Sequence, residues 1–434
     1  MIEIILERAK KLASEAEVFL VTSEETPVQF ETNRLKHLQS KQSRSVALRL
    51  VRDGRLGYAT STDPDDVEGL VQAAVETARF GTEARFQFPT LTAYPPVATF
   101  DPEVEKVPLE TMVQLGETMI SAVRGHTPDI ICEAGVSKAT ASVRLINSRG
   151  GETSYRQSSF SLGIEGSLIH GTDMLFVGEG QSSGHPITDT GPITEVVLRQ
   201  LEWARQQAPV PSRSLPVVFT PHGVASALVM PLLAAFNGKT VLEGASPIGQ
   251  KRGQTVFDTR LSLCDDPTIG YRPGSRPGDD EGVPSQRTPL IERGMVAGFY
   301  YDLQTAARAG TRSTGNGSRD RGGLPAPAPS TIIIAPGDTS FERMVADIKE
   351  GLVIEQLMGA DQGNILGGDF SGNVLLGYKI ESGRIVGRVK NTMVSGNIYP
   401  LLKEIAAVGD DARWVGGMLQ TPSLYFPSVA VASR

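Results

Sequence analysis

Apolar positions near the start of the chain follow a helical period and then a strand period. At helical spacing, one face of the first twenty residues carries Ile4, Ile5, Ala9, Leu12 and Ala13. Strand-like runs follow at Glu17–Thr22, Val28–Phe30, Ser45–Val51 and Leu56–Thr60. Between the last two runs lies Arg52-Asp-Gly-Arg55, a sequence typical of a two-residue β-hairpin. The pattern predicts one helix followed by antiparallel strands.

The next stretch mixes helices with a second group of strands. Residues Asp63–Thr82 have a helical pattern, and Asp63 is the expected N-cap because its carboxylate can accept backbone N–H bonds. A further helix is predicted for Leu109–Gly125. Alternating residues on both sides of the turn Asn147–Gly151 then predict a β-meander over about 139–181.

The middle of the chain contains an apolar segment that needs an explanation. Residues Ser214–Gly238 include no Asp, Glu, Lys or Arg and are numerous enough to cross a bilayer. However, the segment contains three prolines and His222, and it opens with the strand-like run Pro216–Phe219. We therefore predict a buried strand, a turn and a buried helix, Ala225–Phe236, and no membrane span.

Together these elements predict an α+β fold of two domains joined at Pro209–Ser212. Residues 1–208 would form an N-terminal α+β domain with antiparallel strands. Residues 209–434 would form a β-rich C-terminal domain with glycine-rich loops at Pro273–Gly282 and Thr311–Pro329. The 46 glycines and 28 prolines among 434 residues favour turns and strands over long helical bundles.

Charge and cysteine content exclude several classes of protein. The net charge of −7 leaves no basic surface of the kind that nucleic-acid binding requires. Two cysteines, Cys132 and Cys264, cannot build a disulfide framework or a multi-thiolate metal site. Their scarcity suits a reducing compartment, and the charges within the first apolar stretch are unlike a secretory signal. The sequence predicts a cytoplasmic protein.

Few residues form a recognisable catalytic pattern. The five histidines lie far apart, so no pair shares a helical face as in a His-Glu-x-x-His metal site. There is no phosphate-binding P-loop. Acidic clusters occur at Asp265-Asp266, at Asp279–Glu281, and at Asp361 with Asp369. These could supply a general acid and base, although acidic turns are more often simply solvated.

Several motifs, taken in order, resemble one family. The sequence matches the TldD/PmbA family, also called modulators of DNA gyrase, in Arg52–Gly57, Asn147–Gly150, Gly278–Gly294, Ser313–Gly317, Ile332–Phe341, Gly368–Ser371 and Ser395–Asn397. Because these motifs cover nearly the whole chain, the resemblance implies the two-domain fold of that family.

The family has two branches, which differ in their metal ligands. In the TldD branch a His-Glu-x-x-x-His helix and a late cysteine hold a zinc ion that cleaves peptides. Here the corresponding helix, Ala225–Phe236, contains no His, Glu or Cys, and no cysteine follows Cys264. The sequence therefore resembles the PmbA/TldE branch, which implies that this chain has no catalytic or metal-binding residue of its own.

The resemblance also implies partners. The chain would pair with a TldD-type metallopeptidase subunit that holds zinc, and together they would act on leader or unfolded peptides. No nucleic acid or membrane is expected as a partner, and pairing of the isolated chain with a second copy stays open. Two alternatives also stay open: an independent hydrolase using carboxylates near Asp279–Glu281 or Asp369, and an interaction protein that modulates gyrase.

One loop is a candidate for peptide binding. Glycines let a backbone approach a neighbour closely, an amide both donates and accepts, and a guanidinium can bind a carboxylate or carbonyl. Such groups would suit a peptide that binds through its main chain. The candidate residues are Thr314, Gly315, Asn316, Gly317 and Arg319. The alternative is a structural turn.

Overall fold

The N-terminal half is built on one antiparallel sheet. The computed structural model describes residues 1–63, 65–319 and 323–433. Strands β1 to β7 are Glu15–Glu31, Arg34–Leu38, Lys41–Arg52, Arg55–Ser61, Ile131–Asn147, Glu152–His170 and Asp173–Ser183. Their order is β4-β3-β1-β5-β6-β7, with β2 paired to β1. The predicted β-meander is thus present, with strands longer than the sequence pattern indicates.

Five helices pack against this sheet. Helices α1 to α5 are Ile2–Ala9, Val67–Ala78, Glu103–Lys106, Leu109–His126 and Gly191–Trp203. Gly57 on β4 lets α2 approach closely, since a Cβ there would lie 2.1 Å from the Ala74 carbonyl oxygen. The helices cover the sheet with their apolar faces, and the sequence pattern predicts most of these faces.

The hairpin at Arg52–Arg55 is confirmed. These two residues pair directly, and Asp53 and Gly54 between them have φ values of 51° and 73°. Positive φ at both central positions is the geometry that an Asp-Gly turn supplies between twisted strands.

Two N-terminal details differ from the sequence prediction. Helix α1 ends at Ala9, because the Ser14 N–H donates to the Val51 carbonyl at 2.9 Å and starts the pairing of β1 with β3. Helix α2 begins at Val67, later than expected. Its N-cap is therefore Asp66, which accepts the Gly69 N–H at 2.9 Å, and the prediction of Asp63 was wrong.

The C-terminal half centres on a closed barrel. Strands β8 to β14 are Ser214–Phe219, Leu263–Asp265, Thr288–Glu292, Met295–Val296, Gly317–Ser318, Ala326–Pro327 and Ile332–Ile334. Strands β15 to β22 are Glu350–Met358, Asp369–Glu381, Arg384–Arg388, Thr392–Asn397, Ala407–Val408, Arg413–Val415, Leu419–Thr421 and Leu424–Ser433. The order β15-β8-β22-β18-β16 closes on itself because β15 also pairs with β16. A closed ring leaves few unpaired strand edges.

A second sheet and short helices surround the barrel. The sheet has the order β11-β10-β9-β14-β21-β20, and β12 pairs with β13. Helices α6 to α11 are Pro221–Val224, Met230–Phe236, Gly238–Leu242, Leu303–Arg308, Phe341–Ala346 and Ile398–Leu401. The predicted apolar helix is interrupted, since Ala225–Val229 between α6 and α7 is π-helical. Within the described ranges, no helix combines the length and the apolar run needed to cross a membrane.

The two halves share a hydrophobic core. Val218, Val353 and Tyr378 of the barrel belong to the same buried cluster as Val123 of α4 and Val197 of α5. A second cluster fills the barrel and its surrounding sheet. The α+β fold is thus confirmed, while the boundary at residues 208 and 209 stays a prediction.

Candidate functional site

A large cleft lies where the N-terminal sheet meets the barrel. Its volume is about 1090 Å³. Its N-terminal wall is formed by Val28–Glu31 of β1, Ile131 and Glu133–Ser137 of β5, Ser161–Ser167 of β6 and Phe176–Gly180 of β7. The barrel side contributes His222, Ala225, Ser226, Glu355, Gln356, Leu375 and Leu376. The cleft is therefore built by both halves of the chain.

Small and apolar side chains shape this cleft. Gly135 faces open space, because a Cβ added there would meet no atom within 4 Å. Ile131 and Phe176 keep 41% and 39% of their surfaces exposed. Exposed apolar surface inside a concavity is typical of a binding site.

An ion-paired cluster connects the halves at one end of the cleft. The buried carboxylate of Glu179 on β7 lies 3.1 Å from Nε2 of His222 on α6 and 3.0 Å from Nη1 of Arg413 on β20. Burial opposes ionisation of Glu179, but His222 and Arg413 outweigh this cost and lower its pKa. Glu179 is therefore held as a carboxylate between two elements of the other half.

A second buried carboxylate lies nearby. Glu355 is 2% exposed, and the Thr220 hydroxyl donates to its Oε2 at 3.1 Å. It lines both the large cleft and a neighbouring cleft of about 570 Å³. The smaller cleft also contains Trp203, Phe341 and Arg199. Glu355 thus lies where the two clefts meet.

The residues beside the cleft do not fit a zinc ion. Along Ala225–Phe236 the one polar side chain is Ser226, whose hydroxyl donates to the Gly223 carbonyl at 3.1 Å and accepts the Leu357 N–H at 3.2 Å. Over the part of the chain that the structure describes, no three His, Cys, Asp or Glu side chains are grouped to hold a metal. Zinc chemistry therefore has no ligand set among these residues.

The loop proposed for peptide binding lies mostly inside the protein. Asn316 is 1% exposed; its Oδ1 accepts the Thr314 hydroxyl at 2.7 Å, and its Nδ2 donates to the Ala328 carbonyl at 3.0 Å and to Asp265. Gly315 has a φ of 75°, and a Cβ there would lie 2.8 Å from the Pro284 carbonyl oxygen. These contacts favour the structural-turn alternative for this loop.

The remaining two loop residues join a buried charge network. Gly317 donates its N–H to Asp279 at 2.8 Å. The Arg319 guanidinium binds Glu17 of β1 and donates through Nε to the Asp280 carbonyl at 3.0 Å. The polar groups of these five residues already have partners within the chain. Contact between these residues and a peptide stays a prediction.

The charge network itself contains four fully buried side chains. Arg49 lies 3.0 Å from Glu17 through Nη2 and 2.5 Å from Glu281 through Nη1, while Arg319 also binds Glu17. All four side chains are at most 2% exposed. The sequence reading missed Glu17 and Arg49, although each places a charge within an apolar strand, a pattern that indicates a buried partner.

The carboxylates of the hydrolase alternative are also engaged. Asp279 accepts the N–H groups of Val283 at 2.9 Å and Gly317 at 2.8 Å. Burial, together with the Glu281 carboxylate, raises the pKa of Asp279 to about 8. The exposed Asp369 accepts the Asn397 amide at 2.8 Å. Both carboxylates therefore have hydrogen-bond partners within the chain.

Comparisons with known proteins agree on one family. The model for the PmbA/TldA metallopeptidase C-terminal domain matches residues 212–433, and that for PmbA/TldA metallopeptidase domain 1 matches residues 16–78. An uncharacterized protein of Methanocaldococcus jannaschii is 27% identical, with 98% of each chain covered. The metalloprotease PmbA of Escherichia coli O157:H7 is 24% identical, covering 99% of this chain and 94% of its own.

A solved structure has the same fold. TldE from Thermococcus kodakarensis matches with a TM-score of 0.90 and 23% identity, and each chain is covered completely. Such a score over full length means that the helices, sheets and their connections correspond throughout.

The buried network generates a stability prediction. Arg319→Met leaves Glu17 with one buried cation instead of two, so we expect a loss of about 3–5 kcal/mol in the free energy of unfolding. Arg343→Met is the matched control, because Arg343 pairs with Asp347 on the surface of α10 and should cost about 0.5 kcal/mol or less. Urea unfolding monitored by circular dichroism measures both. Equal losses in the two variants would mean that the network does not stabilise the fold.

The Glu179 cluster generates a pH prediction. Because the folded-state pKa of Glu179 lies below its ordinary value of 4.5, its ionisation stabilises the protein above that pH. This contribution is lost as the pH falls through the folded-state value. We therefore expect Glu179→Gln to be less stable than the wild type at neutral pH, with the difference shrinking below about pH 4.5. Urea midpoints across the acid range test this, and a difference independent of pH would contradict it.

Proposed function

Since the chain belongs to the PmbA/TldD family of metallopeptidases, we propose that it is the non-catalytic subunit of a heteromeric peptidase whose zinc is held by a TldD-type partner. The observation that carries this proposal is the segment Ala225–Phe236, which has no His, Glu or Cys where the catalytic branch has its ligands. The intact fold beside it supports a role in assembly or substrate handling.

The large cleft supports a peptide as the substrate. Its volume of about 1090 Å³ slightly exceeds the range of about 300–1,000 Å³ that is usual for small-molecule pockets. Strand surfaces with exposed Ile131 and Phe176 offer apolar contacts without demanding one side-chain sequence. Leader or unfolded peptides, which expose apolar residues and extended backbone, suit such a surface. Two free, buried cysteines fit our further proposal that the complex works in the cytoplasm.

Structural contacts of the acidic residues favour this function over an independent hydrolase. Asp279 and Glu281 are buried and bound to backbone N–H groups or Arg49, so neither is placed to bind a water and a substrate together. A modulator of gyrase would need a surface that binds another protein, and no contact described above identifies such a surface. We therefore retain the peptidase subunit as the function.

The proposal predicts assembly and dependent activity. Mixed with a TldD-type chain from the same organism, this chain should form a stable heteromer that cleaves unfolded peptides faster than either component. Alone, it should bind no stoichiometric zinc and cleave nothing, since its residues offer no ligand set. Size-exclusion chromatography, elemental analysis and a peptide-cleavage assay measure these outcomes.

A partner variant serves as the control for this experiment. Replacing the glutamate of the partner's zinc motif by glutamine should abolish cleavage while the heteromer persists. One tightly held zinc per copy of this chain, lost together with its own activity on chelation, would contradict the proposal. So would the absence of association at micromolar concentration.

A further inference from the structure

Glu355 occupies an irregular position in the barrel. In the pairing of β15 with β16 the register shifts between Ile354 and Gln356, so Glu355 has no cross-strand partner and forms a β-bulge. Bulges re-aim a side chain and are frequent beside binding sites. Here the bulged residue is the carboxylate that lines both clefts.

The carboxylate of Glu355 has one neutral hydrogen-bond donor and no cation. Thr220 donates to Oε2 at 3.1 Å. Among residues 1–63, 65–319 and 323–433, no Lys, Arg or His nitrogen lies within 4.0 Å of the Glu355 carboxylate oxygens, the distance that defines an ion pair. His222 of the large cleft and Arg413 of the smaller one both bind Glu179. A buried carboxylate without a charge partner is costly, so a positively charged ligand would be bound favourably.

The second cleft does not provide the missing cation either. Arg199, Arg384 and Arg413 line that cleft, but among the described residues none of them forms an ion pair with Glu355. The guanidinium carbon of Arg199 instead lies 5.3 Å from the centre of the Trp203 ring in a cation–π contact. Both clefts therefore present the Glu355 carboxylate to an incoming group.

The geometry selects the kind of cation. A guanidinium binds best through two parallel bonds to both oxygens of a carboxylate, and one of the two lone-pair sites of Oε2 is already taken by Thr220. A primary ammonium is a compact charge that needs one oxygen and fits the remaining Oε1. A metal ion would need further ligands, which no group of described residues supplies.

We infer that Glu355 binds the primary ammonium group of a peptide lying in the large cleft, either its N-terminal amine or a lysine side chain. This inference rests on the proposed function only in taking a peptide as the ligand. Glu355 would then fix the position of the peptide along the cleft, because the apolar contacts alone do not determine which peptide residue lies at which point.

Three synthetic peptides test this binding on the isolated chain. They are pentaalanine amide with a free amine, the same peptide acetylated, and an acetylated amide in which lysine replaces the central alanine. Isothermal titration calorimetry at neutral pH and low salt should give at least one ammonium-bearing peptide an affinity about tenfold above that of acetylated pentaalanine. The free amine and the lysine peptide identify the two sources separately. Equal affinities for all three, or no binding of any, would overturn the inference.

Two variants separate recognition from folding. Glu355→Gln should remove the tenfold preference while leaving the affinity for acetylated pentaalanine unchanged. Glu342→Gln, the same change at an exposed carboxylate of the smaller cleft, should keep the preference. The urea midpoint of Glu355→Gln should equal or exceed that of the wild type, since an unpaired buried charge is removed.

Other results would point elsewhere. A large drop in the urea midpoint of Glu355→Gln would mean that the carboxylate is structural, which overturns the inference. Loss of affinity for all three peptides alike would do the same. Because none of these measurements uses the TldD-type chain, failure here is distinguishable from failure of assembly, which would contradict the proposed function.

Discussion

Four charged side chains with almost no solvent access join strands from the beginning of the chain to loops more than two hundred residues later. Glu17 and Arg49 are cross-strand partners on β1 and β3, while Glu281 and Arg319 come from the glycine-rich loops of the other half. Each charge would be costly to bury alone, so the network is favourable only when all four are assembled. This requirement fixes the two loops on the N-terminal sheet.

The cleft depends on that fixed arrangement. Its walls come from different halves of the chain, and Glu179 reaches His222 and Arg413 only when β7 stands beside the barrel. The shared core, in which Tyr378 packs with residues of α4 and α5, holds the same arrangement through apolar contacts. A binding surface that is formed before the ligand arrives loses less entropy on binding. A cleft formed in advance suits the proposed role of presenting a substrate to a partner.

Local features were predictable from the sequence, and long-range ones were not. The hairpin at Asp53-Gly54, helix α4 and the β-meander follow from turn chemistry and periodicity, which act over a few residues. The π-helical turn at Ala225–Val229 and the bulge at Glu355 depend on packing against distant strands, for which a single sequence gives no signal. Asn316 was a candidate for peptide binding because glycines lie on both sides of it. In the structure its amide donates to the Asp265 carboxylate, which is distant in sequence.

The central claim is that peptides lie in the cleft between the two halves while the partner supplies the zinc. Hydrogen–deuterium exchange of the assembled complex tests it most directly, with the partner inactivated in its zinc motif and an unfolded peptide added. The account predicts slower exchange in residues 131, 133–137, 161–167 and 176–180, which line the cleft. Unchanged exchange in these strands, with protection elsewhere on the chain, would contradict it.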